Sequence, residues 1–526
     1  MEVALVHGRA GEGWTMPLPG GEVAYHRDLA GAVRAAEAGG GPRWVVADAA
    51  RDYAVLLEAG ARLDRVRDLR LAERILSRVE AHEPPAFVVA SDPDAGTLFE
   101  REPEPVDGPA ELTRLQAAWL DQRRRTANAA IPGLGALLAA ESAGALVAAE
   151  MGRTGVPFDR EVHDRLLRDL LGPRPAKGLR PRKLQALADR VSEAFGHQLN
   201  PDSTKQVLAA FHAAGVEVKT THAWELHSVD HPAVEALKVY REHARVWSAF
   251  GWNWADAWVG EGPGGRGRFR PVYIVGGADT GRWGTDGGGA LQLPHSVREA
   301  IRADPGWKLV AADAAQLEPR LLAAISGDRA MIAATAADDL YTELAPSLGG
   351  ERGKAKIALI SAMYGGTAGD ARQLVLLMRE RFPAAFEKVE SAARTGEKGG
   401  LVRTWLGRTV PAPSERWWRM LSSEDGTKAS SSRGRFTRNF IVQGTAAEWA
   451  LVLLALLRRE LFERGLGELV FFLHDEVMVH CPAERAPEVA AAIERAAEAA
   501  TRTLFGDVPV RIPLRPKIVD SYAEAK

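Results

Sequence analysis

Asp313 and Asp475 each follow an apolar run that reads as a buried strand. Trp307-Lys308-Leu309-Val310-Ala311-Ala312 leads into Asp313, and Leu469-Val470-Phe471-Phe472-Leu473 leads into His474-Asp475-Glu476, with Val477-Met478-Val479 leading away as in a hairpin. A carboxylate at the end of a buried strand is costly unless something pairs with it. If two adjacent strands bring these two together, they form a hard-oxygen site suited to magnesium, which keeps water and phosphate as its remaining partners. A pair of such ions activates an attacking hydroxyl and stabilises a leaving oxygen in in-line phosphoryl displacement. Taken singly, either aspartate is equally well explained as a cap on the turn or helix that follows.

A third feature lies between them. Arg352, Lys356, Ile360 and Tyr364 recur at steps of four in a segment without proline. Each step overshoots a full helical turn by about 40°, so the four side chains form a slowly spiralling stripe about 18 Å long. Two cations, an apolar side chain and then an aromatic ring beside Gly365-Gly366 suit a triphosphate, a sugar and a base in that order. The segment has no Gly-x-x-x-x-Gly-Lys-Ser/Thr cradle, so nothing favours a P-loop ATPase. A solvated basic helix with one buried tyrosine explains any one of these residues but not the ordered set.

The elements that must position these groups follow from the rest of the chain. Its 526 residues are enough for roughly three to four domain-sized units. Hydrophobic content of 46% with 26% charged residues is ordinary for a globular protein, and the formal net charge is -2. Binding to nucleic acid then requires positive charge concentrated on one face, as Arg123-Arg124-Arg125, Arg266 to Arg270 and Arg433 to Arg438 allow, although any one such run is more often just a solvated surface cluster. The single cysteine, Cys481, excludes a disulfide framework or a cysteine-built zinc site within one chain. No signal-peptide pattern and no run of about 18 apolar residues is present, so the expectation is a cytoplasmic protein with no membrane association. Residues 1–130 read as a small α/β unit, with Trp44-Val45-Val46-Ala47 as a strand and an exposed connector over Glu100–Pro109. The stretch from Ile131 to Trp258 reads as mainly helical. Glycine-rich loops are expected at 260–267 and 284–289, and long helices near 352–363, 368–381, 383–394 and 440–465.

Several motifs in one order resemble the family A DNA polymerases, from about Ile131 to Tyr522. They are Thr280-Gly281-Arg282 with Leu291-Gln292-Leu293-Pro294; Asp313-Ala314-Ala315-Gln316-Leu317-Glu318-Pro319-Arg320, similar to motif A; and Arg352-x-x-x-Lys356-x-x-x-Ile360-x-x-x-Tyr364-Gly365, similar to motif B. Leu406-Gly407-Arg408 with Pro411, Arg435-x-x-x-Asn439-x-x-x-Gln443-Gly444-Thr445, and His474-Asp475-Glu476, similar to motif C, complete the set. The resemblance implies a multidomain α/β and α+β fold, with an RNase H-like exonuclease-type domain (1–130) before a right-hand polymerase (131–526). The thumb would span about 131–258, the palm about 259–335 and 436–526, and the fingers about 336–435. It implies a monomeric, nucleoid-associated enzyme that extends a primer on template DNA with deoxynucleoside triphosphates, using two Mg2+ ions for which Mn2+ can substitute, in replication or repair.

Residue by residue, the resemblance places the metals on Asp313, Asp475 and the Ala314 carbonyl, with Glu476 beside them in the catalytic set. It places phosphates against Arg352 and Lys356, the latter able to protonate departing pyrophosphate. Gln316, Glu318, Tyr341, Ile360 and Tyr364 fall around the nucleotide. Arg282, Gln292, Arg435, Asn439, Gln443 and His474 fall along the primer terminus and minor groove, where purine N3 and pyrimidine O2 are acceptors common to all correct pairs. Glu318 stands at the family's steric gate against a ribose 2′-hydroxyl, and with Glu476 it favours deoxynucleotides over the related single-subunit RNA polymerases.

Five positions depart from the family pattern. Ala314-Ala315 replaces an aromatic and a hydroxyl residue, and Pro319 follows the gate, which requires it to lie in the first turn of a helix. Ile360 replaces an aromatic, and Tyr341 a phosphate-binding histidine. In residues 1–130, Val45 to Asp52 and Asp68 to Ala72 faintly resemble a 3′→5′ proofreading exonuclease with Asp52 as a possible ligand. The motifs Asp-x-Glu and Tyr-x-x-x-Asp are missing, so the expectation is a degenerate, scaffolding exonuclease fold in which Asp48 and Asp68 are surface aspartates. No 5′-nuclease domain is expected ahead of it. An active bifunctional exonuclease/polymerase, a silent DNA-binding homologue and a two-metal nuclease are the alternatives; the last leaves the stepped cationic helix unexplained.

Overall fold

The computed structural model describes residues 1–9, 11–81, 107–262, 266–286, 288–289, 293–348, 350–365 and 370–525. Gln292 and the expected connector up to residue 106 lie outside them. The chain divides into two compact units. One comprises Met1–Thr154, Val272–Asp286 and Val310–Ile518; the other comprises Gly155–Pro271, Gly287–Leu309 and Val519–Lys526.

The first unit opens on a five-stranded sheet formed by β1 (Glu2–His7), β2 (Gly13–Leu18), β3 (Ala24–His26), β4 (Arg43–Val46) and β5 (Arg65–Asp68), in the order β3-β2-β1-β4-β5. β1, β4 and β5 run parallel, which leaves both faces to be covered. Leu29, Val33, Tyr53 and Leu56 pack on one face with Trp44 and Val46, and Leu112, Leu115 and Trp119 pack on the other with Ala4 and Val45. Asp48 and Asp68 are not surface residues on helices. Asp68 is 1% exposed and accepts 2.8 Å hydrogen bonds from the N–H groups of Ala49 and Leu71, while half-buried Asp48 caps the next helix through Ala50. Helix starts with free N–H groups take up both side chains.

The same unit carries most of a second sheet, in the order Glu468–Leu473, Glu476–Pro482, Trp307–Asp313 and Lys517–Val519. Both expected strand–acid junctions lie in it, the first two strands forming the expected antiparallel hairpin. Gly284–Asp286 is a strand paired with Val272–Ile274, so these three residues are not part of the expected 284–289 loop.

The helix expected at 440–465 runs over Gly426–Glu463. Its early turns are rich in Ser, Gly and Arg, poor helix material apart from the arginines. Packing stabilises them: Thr437 is fully buried and donates a 2.8 Å hydrogen bond to the Ala392 carbonyl in the helix Pro383–Glu397. A Cβ at Gly396 would lie 2.0 Å from the Thr437 hydroxyl, so only glycine permits this approach. Helices Leu134–Thr154 and Gly426–Glu463 are long and apolar enough to cross a membrane, but 61% and 83% of their apolar windows are buried within the fold, as suits core helices.

Glu448 is fully buried in the long helix. Its carboxylate accepts a 2.9 Å hydrogen bond from the Leu406 N–H and another from the Thr404 hydroxyl, pinning that turn to the helix. Burial pushes its pKa up to about 7, against the pull of Thr404 and Arg408. Between an ordinary glutamate value of 4.5 and about 7, the folded chain holds a proton that the unfolded chain has released. This group's stabilising contribution is therefore complete below the lower value and lost as pH rises through the upper one. In Glu448→Gln, the fall of the thermal midpoint between about pH 5 and 8 should be shallower than in the parent. Equal slopes would assign that fall to other groups.

The second unit is mainly helical, with helices Arg160–Leu171, Arg182–Phe195, Thr204–Ala213, Pro232–Phe250 and Trp252–Trp258. They gather beside a three-stranded sheet, and Trp254 stacks edge-on or tilted against Phe158, Phe250 and Phe269 at 5.0–5.6 Å.

Candidate functional site

Leu309 to Ala312 are buried in the strand that ends at Asp313, which emerges exposed. The burial cost expected for both acids therefore falls mainly on Asp475, half-buried in the turn of the neighbouring hairpin. That turn is tight: the Asp475 N–H donates to the Leu473 carbonyl at 2.6 Å, and His474 takes a left-handed backbone with φ 56°. The Ala314 N–H donates to the Asp475 carbonyl at 2.9 Å, which joins the ends of the two strands.

Burial and then the charge of Asp313 push the Asp475 carboxyl up to about 6, with Arg282 opposing. The negative charge of Asp313 thus bears on the half-buried Asp475 carboxyl, the condition a bound divalent cation relieves. Among the described residues no group of three or more His, Cys, Asp or Glu could hold a metal. The protein therefore offers two acidic oxygen donors and leaves the rest of the shell to water or ligand. Such a donor set fits magnesium, which binds through one or two carboxylates plus phosphate. Glu476 starts the next strand and is 2% exposed.

Pro319 lies in the first turn of the helix Leu317–Ser326, where its missing N–H leaves no gap. Glu318, beside it, collects the other predicted residues. Arg282 forms an ion pair with its Oε1, and the Tyr364 hydroxyl donates to Oε2 at 2.8 Å. Burial and the Glu318 charge push Tyr364 up to about 12, partly offset by a hydrogen bond with Gln443. Arg282 also acts on His474, whose pKa falls to about 4 through burial first and that arginine second. His474 is thus neutral at physiological pH. Its Nδ1 and the Oδ1 of Asn439 are buried without a hydrogen-bond partner among the described residues. Such orphaned groups are costly, and a ligand that reaches them recovers the cost.

The helix Arg352–Tyr364 presents the predicted stripe to solvent. Arg352, Lys356, Ile360 and Tyr364 are exposed, while Ala355, Ala358, Leu359 and Ala362 are buried behind them. Gly365 ends the helix at φ 79°, and a Cβ there would lie 3.0 Å from Cγ of Arg435. Arg435, Asn439 and Gln443 follow at four-residue steps along the long helix. At the other end of the stripe, Arg352 donates to Asp339 at 2.7 Å and its guanidinium lies 5.6 Å from the Tyr341 ring centre. Gln316, left-handed at φ 51°, accepts from the Leu340 N–H at 2.9 Å, so the segment after Asp313 is tied to the segment that holds Arg352.

Two contributors are not evident from the sequence. Asp339 stands there only as a near neighbour of Tyr341, yet it anchors Arg352. Arg320, which closes the motif without a role, is fully buried, and its guanidinium donates to the carbonyls of Ala315, Thr335, Ala337, Asp338 and Arg511 at 2.6–3.0 Å. Burial lowers its pKa to about 10. An arginine within the apolar run Leu317 to Ile325 is the available signal.

In the N-terminal sheet, His7 lies 3.1 Å from Asp52, and Arg51 donates to the same carboxylate at 2.9 Å. Burial acts to raise the Asp52 pKa, but these partners outweigh it and hold the carboxyl below its ordinary range. Arg70 pairs with Asp48.

Comparison with known proteins is consistent with this geometry. The chain resembles DNA polymerase I of Chloroflexus aurantiacus, with 28% identity over 278 residues, 48% of this chain and 29% of that protein. It also resembles the thermostable DNA polymerase I of Thermus thermophilus, with 26% identity over 375 residues, 64% of this chain and 43% of that protein. The chain spans less than half the length of these curated relatives. In fold it is similar to the POL domain of Pol1 from M. smegmatis in complex with DNA primer-template and dNTP. There the TM-score is 0.74 at 18% identity, over 99% of this chain and 95% of the other. The family model for DNA polymerase family A matches residues 179–519, well over half of the sequence, and the chain belongs to that family.

Proposed function

We propose that this chain is a DNA-templated DNA polymerase that adds deoxynucleoside triphosphates to a primer 3′ end, in replication or repair. The observation that carries the reading is the convergence of Asp313 and Asp475 beside the set formed by Arg282, Glu318, Tyr364 and Gln443. Two Mg2+ ions held by Asp313, Asp475 and the Ala314 carbonyl would supply Lewis-acid stabilisation for the displacement. The chain's own groups do the rest. Arg352 and Lys356 draw in the triphosphate, and Lys356 gives a proton to the departing pyrophosphate. Tyr364 and Glu318 shape the space for the sugar and base. Arg282, Gln443, Asn439 and His474 offer polar atoms to the minor-groove edge, where pair geometry rather than sequence is read.

The domain assignment goes with this reading: 1–130 as the exonuclease-like scaffold and 131–526 as thumb, palm and fingers. Side-chain partners already occupy the acid cluster of the scaffold, with His7 and Arg51 on Asp52 and Arg70 on Asp48. Those pairs oppose a nuclease metal pair and support an inactive domain. Primer extension on a primed template, with single nucleotides left out in turn, tests the main function. Template-directed arrest at each missing nucleotide is the expected result, and magnesium-independent or untemplated addition would overturn the reading. A labelled mismatched primer incubated without nucleotides should stay full length; shortening that disappears in Asp52→Ala would restore the proofreading alternative.

A further inference from the structure

The sheet of residues 1–130 has a second end that this function leaves unused. The Asp48 and Asp68 acids lie at the C-terminal ends of the parallel strands, whereas an open cleft of about 560 Å³ lies at their N-terminal ends. Its wall includes Arg43, Arg65, Arg67 and Arg123, with Glu2 as its acidic member and Trp119 beside it. The strand register explains the arrangement. Glu2 is opposite Arg43 across β1 and β4, and Arg43 is opposite Arg65 across β4 and β5, so all three side chains share one face. Arg67, two residues on in β5, joins that face. Like charges directly across a strand pair destabilise a sheet, and this row sets two arginines side by side with a third behind them.

Internal partners balance little of that charge. Glu2 is shared, accepting from the Trp119 indole at 3.1 Å and lying 3.6 Å from Arg123. Arg123 also stacks over the Trp119 ring at 4.7 Å. Arg65 donates to the Gly41 carbonyl, with Asp64 3.9 Å away. Burial, and the like charges of Arg43 and Arg123, lower the Arg67 pKa to about 10 despite the field of Glu2. A concave wall of planar, permanently charged forks with one shared carboxylate is complementary to phosphate oxygens.

We propose that this cleft is a phosphate-binding site, separate from the polymerase site, which takes consecutive phosphates of a polyanion: the backbone of a single strand or a free polyphosphate. It does not depend on the catalytic assignment, since none of its residues belongs to that set.

The test titrates the full chain, presaturated with a hairpin primer–template, with two probes: a twelve-residue oligothymidylate and inorganic tripolyphosphate. Arg43→Gln/Arg123→Gln alters exposed positions and is expected to keep the parent's thermal midpoint and primer extension, while weakening the bound probe about tenfold. For the oligonucleotide, the slope of log affinity against log salt should become less steep by roughly 0.7 for each phosphate left without its arginine, about 1.4 in all. Arg67→Gln provides a second, less exposed variant with a similar loss of affinity. Binding of the oligonucleotide alone assigns the site to a nucleic-acid strand, and binding of tripolyphosphate alone assigns it to free polyphosphate. Failure of both probes to bind, or equal affinity and salt slope in parent and variants, overturns the proposal whatever the chain's polymerase activity.

Discussion

Asp475→Ala is expected to reduce templated primer extension by roughly a thousandfold or more, because several kcal/mol of transition-state stabilisation would go with the metal-binding oxygens, and each ~1.4 kcal/mol is tenfold in rate. Primer–template affinity should stay close to the parent's, and at low magnesium it should rise. Asp475 is raised in pKa by burial and by Asp313, so in the metal-free protein its charge opposes both its neighbour and an approaching phosphate backbone. Removing it relieves that repulsion. The fold should tolerate the change, since the 2.6 Å turn hydrogen bond and the 2.9 Å link to Ala314 both use the Asp475 backbone. The two readouts separate a catalytic from a structural role: a structural aspartate would lose binding and thermal stability along with activity. Extension at the parental rate by the purified variant would remove Asp475 from the site.

The contrast between this pair and other parts of the fold shows what a sequence discloses. Asp313 and Asp475 are legible because a period of buried residues ends abruptly in an acid, twice, and a sheet can satisfy that pattern by placing the two strand ends together. The stripe Arg352, Lys356, Ile360 and Tyr364 is legible for the same kind of reason, since helical geometry dictates which residues share a face. The ion pair of Arg282 with Glu318 is not. The two are 36 residues apart, on elements with no common period, and meet only through tertiary packing. The first turns of the helix Gly426–Glu463 are hidden because local propensity argues against them and the close approach at Gly396 and Thr437 overrides it. Asp48 and Asp68 pass for surface residues in the sequence because an N-cap and an exposed aspartate look alike until the partner N–H groups are known. Short-range periodicity thus locates the acids and the cationic helix, whereas the contacts that orient them depend on long-range packing.

That distinction bears most on Glu318, where sequence and structure suggest different ways of rejecting ribose. As a steric gate, its side chain occupies the volume of a 2′-hydroxyl; as the partner of Arg282 and Tyr364, it holds two other side chains in place. Glu318→Ala removes both effects and is expected to raise the use of ribonucleotides relative to deoxynucleotides by roughly ten- to two-hundredfold, the range that one misfitting group is worth in a pocket. Glu318→Gln separates them. It keeps the volume and can still accept from Tyr364, but it gives up the charge that pairs with Arg282. If sterics dominate, the glutamine variant retains most of the parent's sugar discrimination, with any loss confined to kcat as Arg282 shifts. If it accepts ribonucleotides as readily as the alanine variant does, discrimination comes from the charge network. Tyr364→Phe then decides the remaining share: it leaves the gate's volume and the Arg282 pair intact while removing the 2.8 Å hydrogen bond. Sugar selectivity unchanged in that variant, together with parental selectivity in Glu318→Gln, would assign the rejection of ribose to the bulk of one side chain.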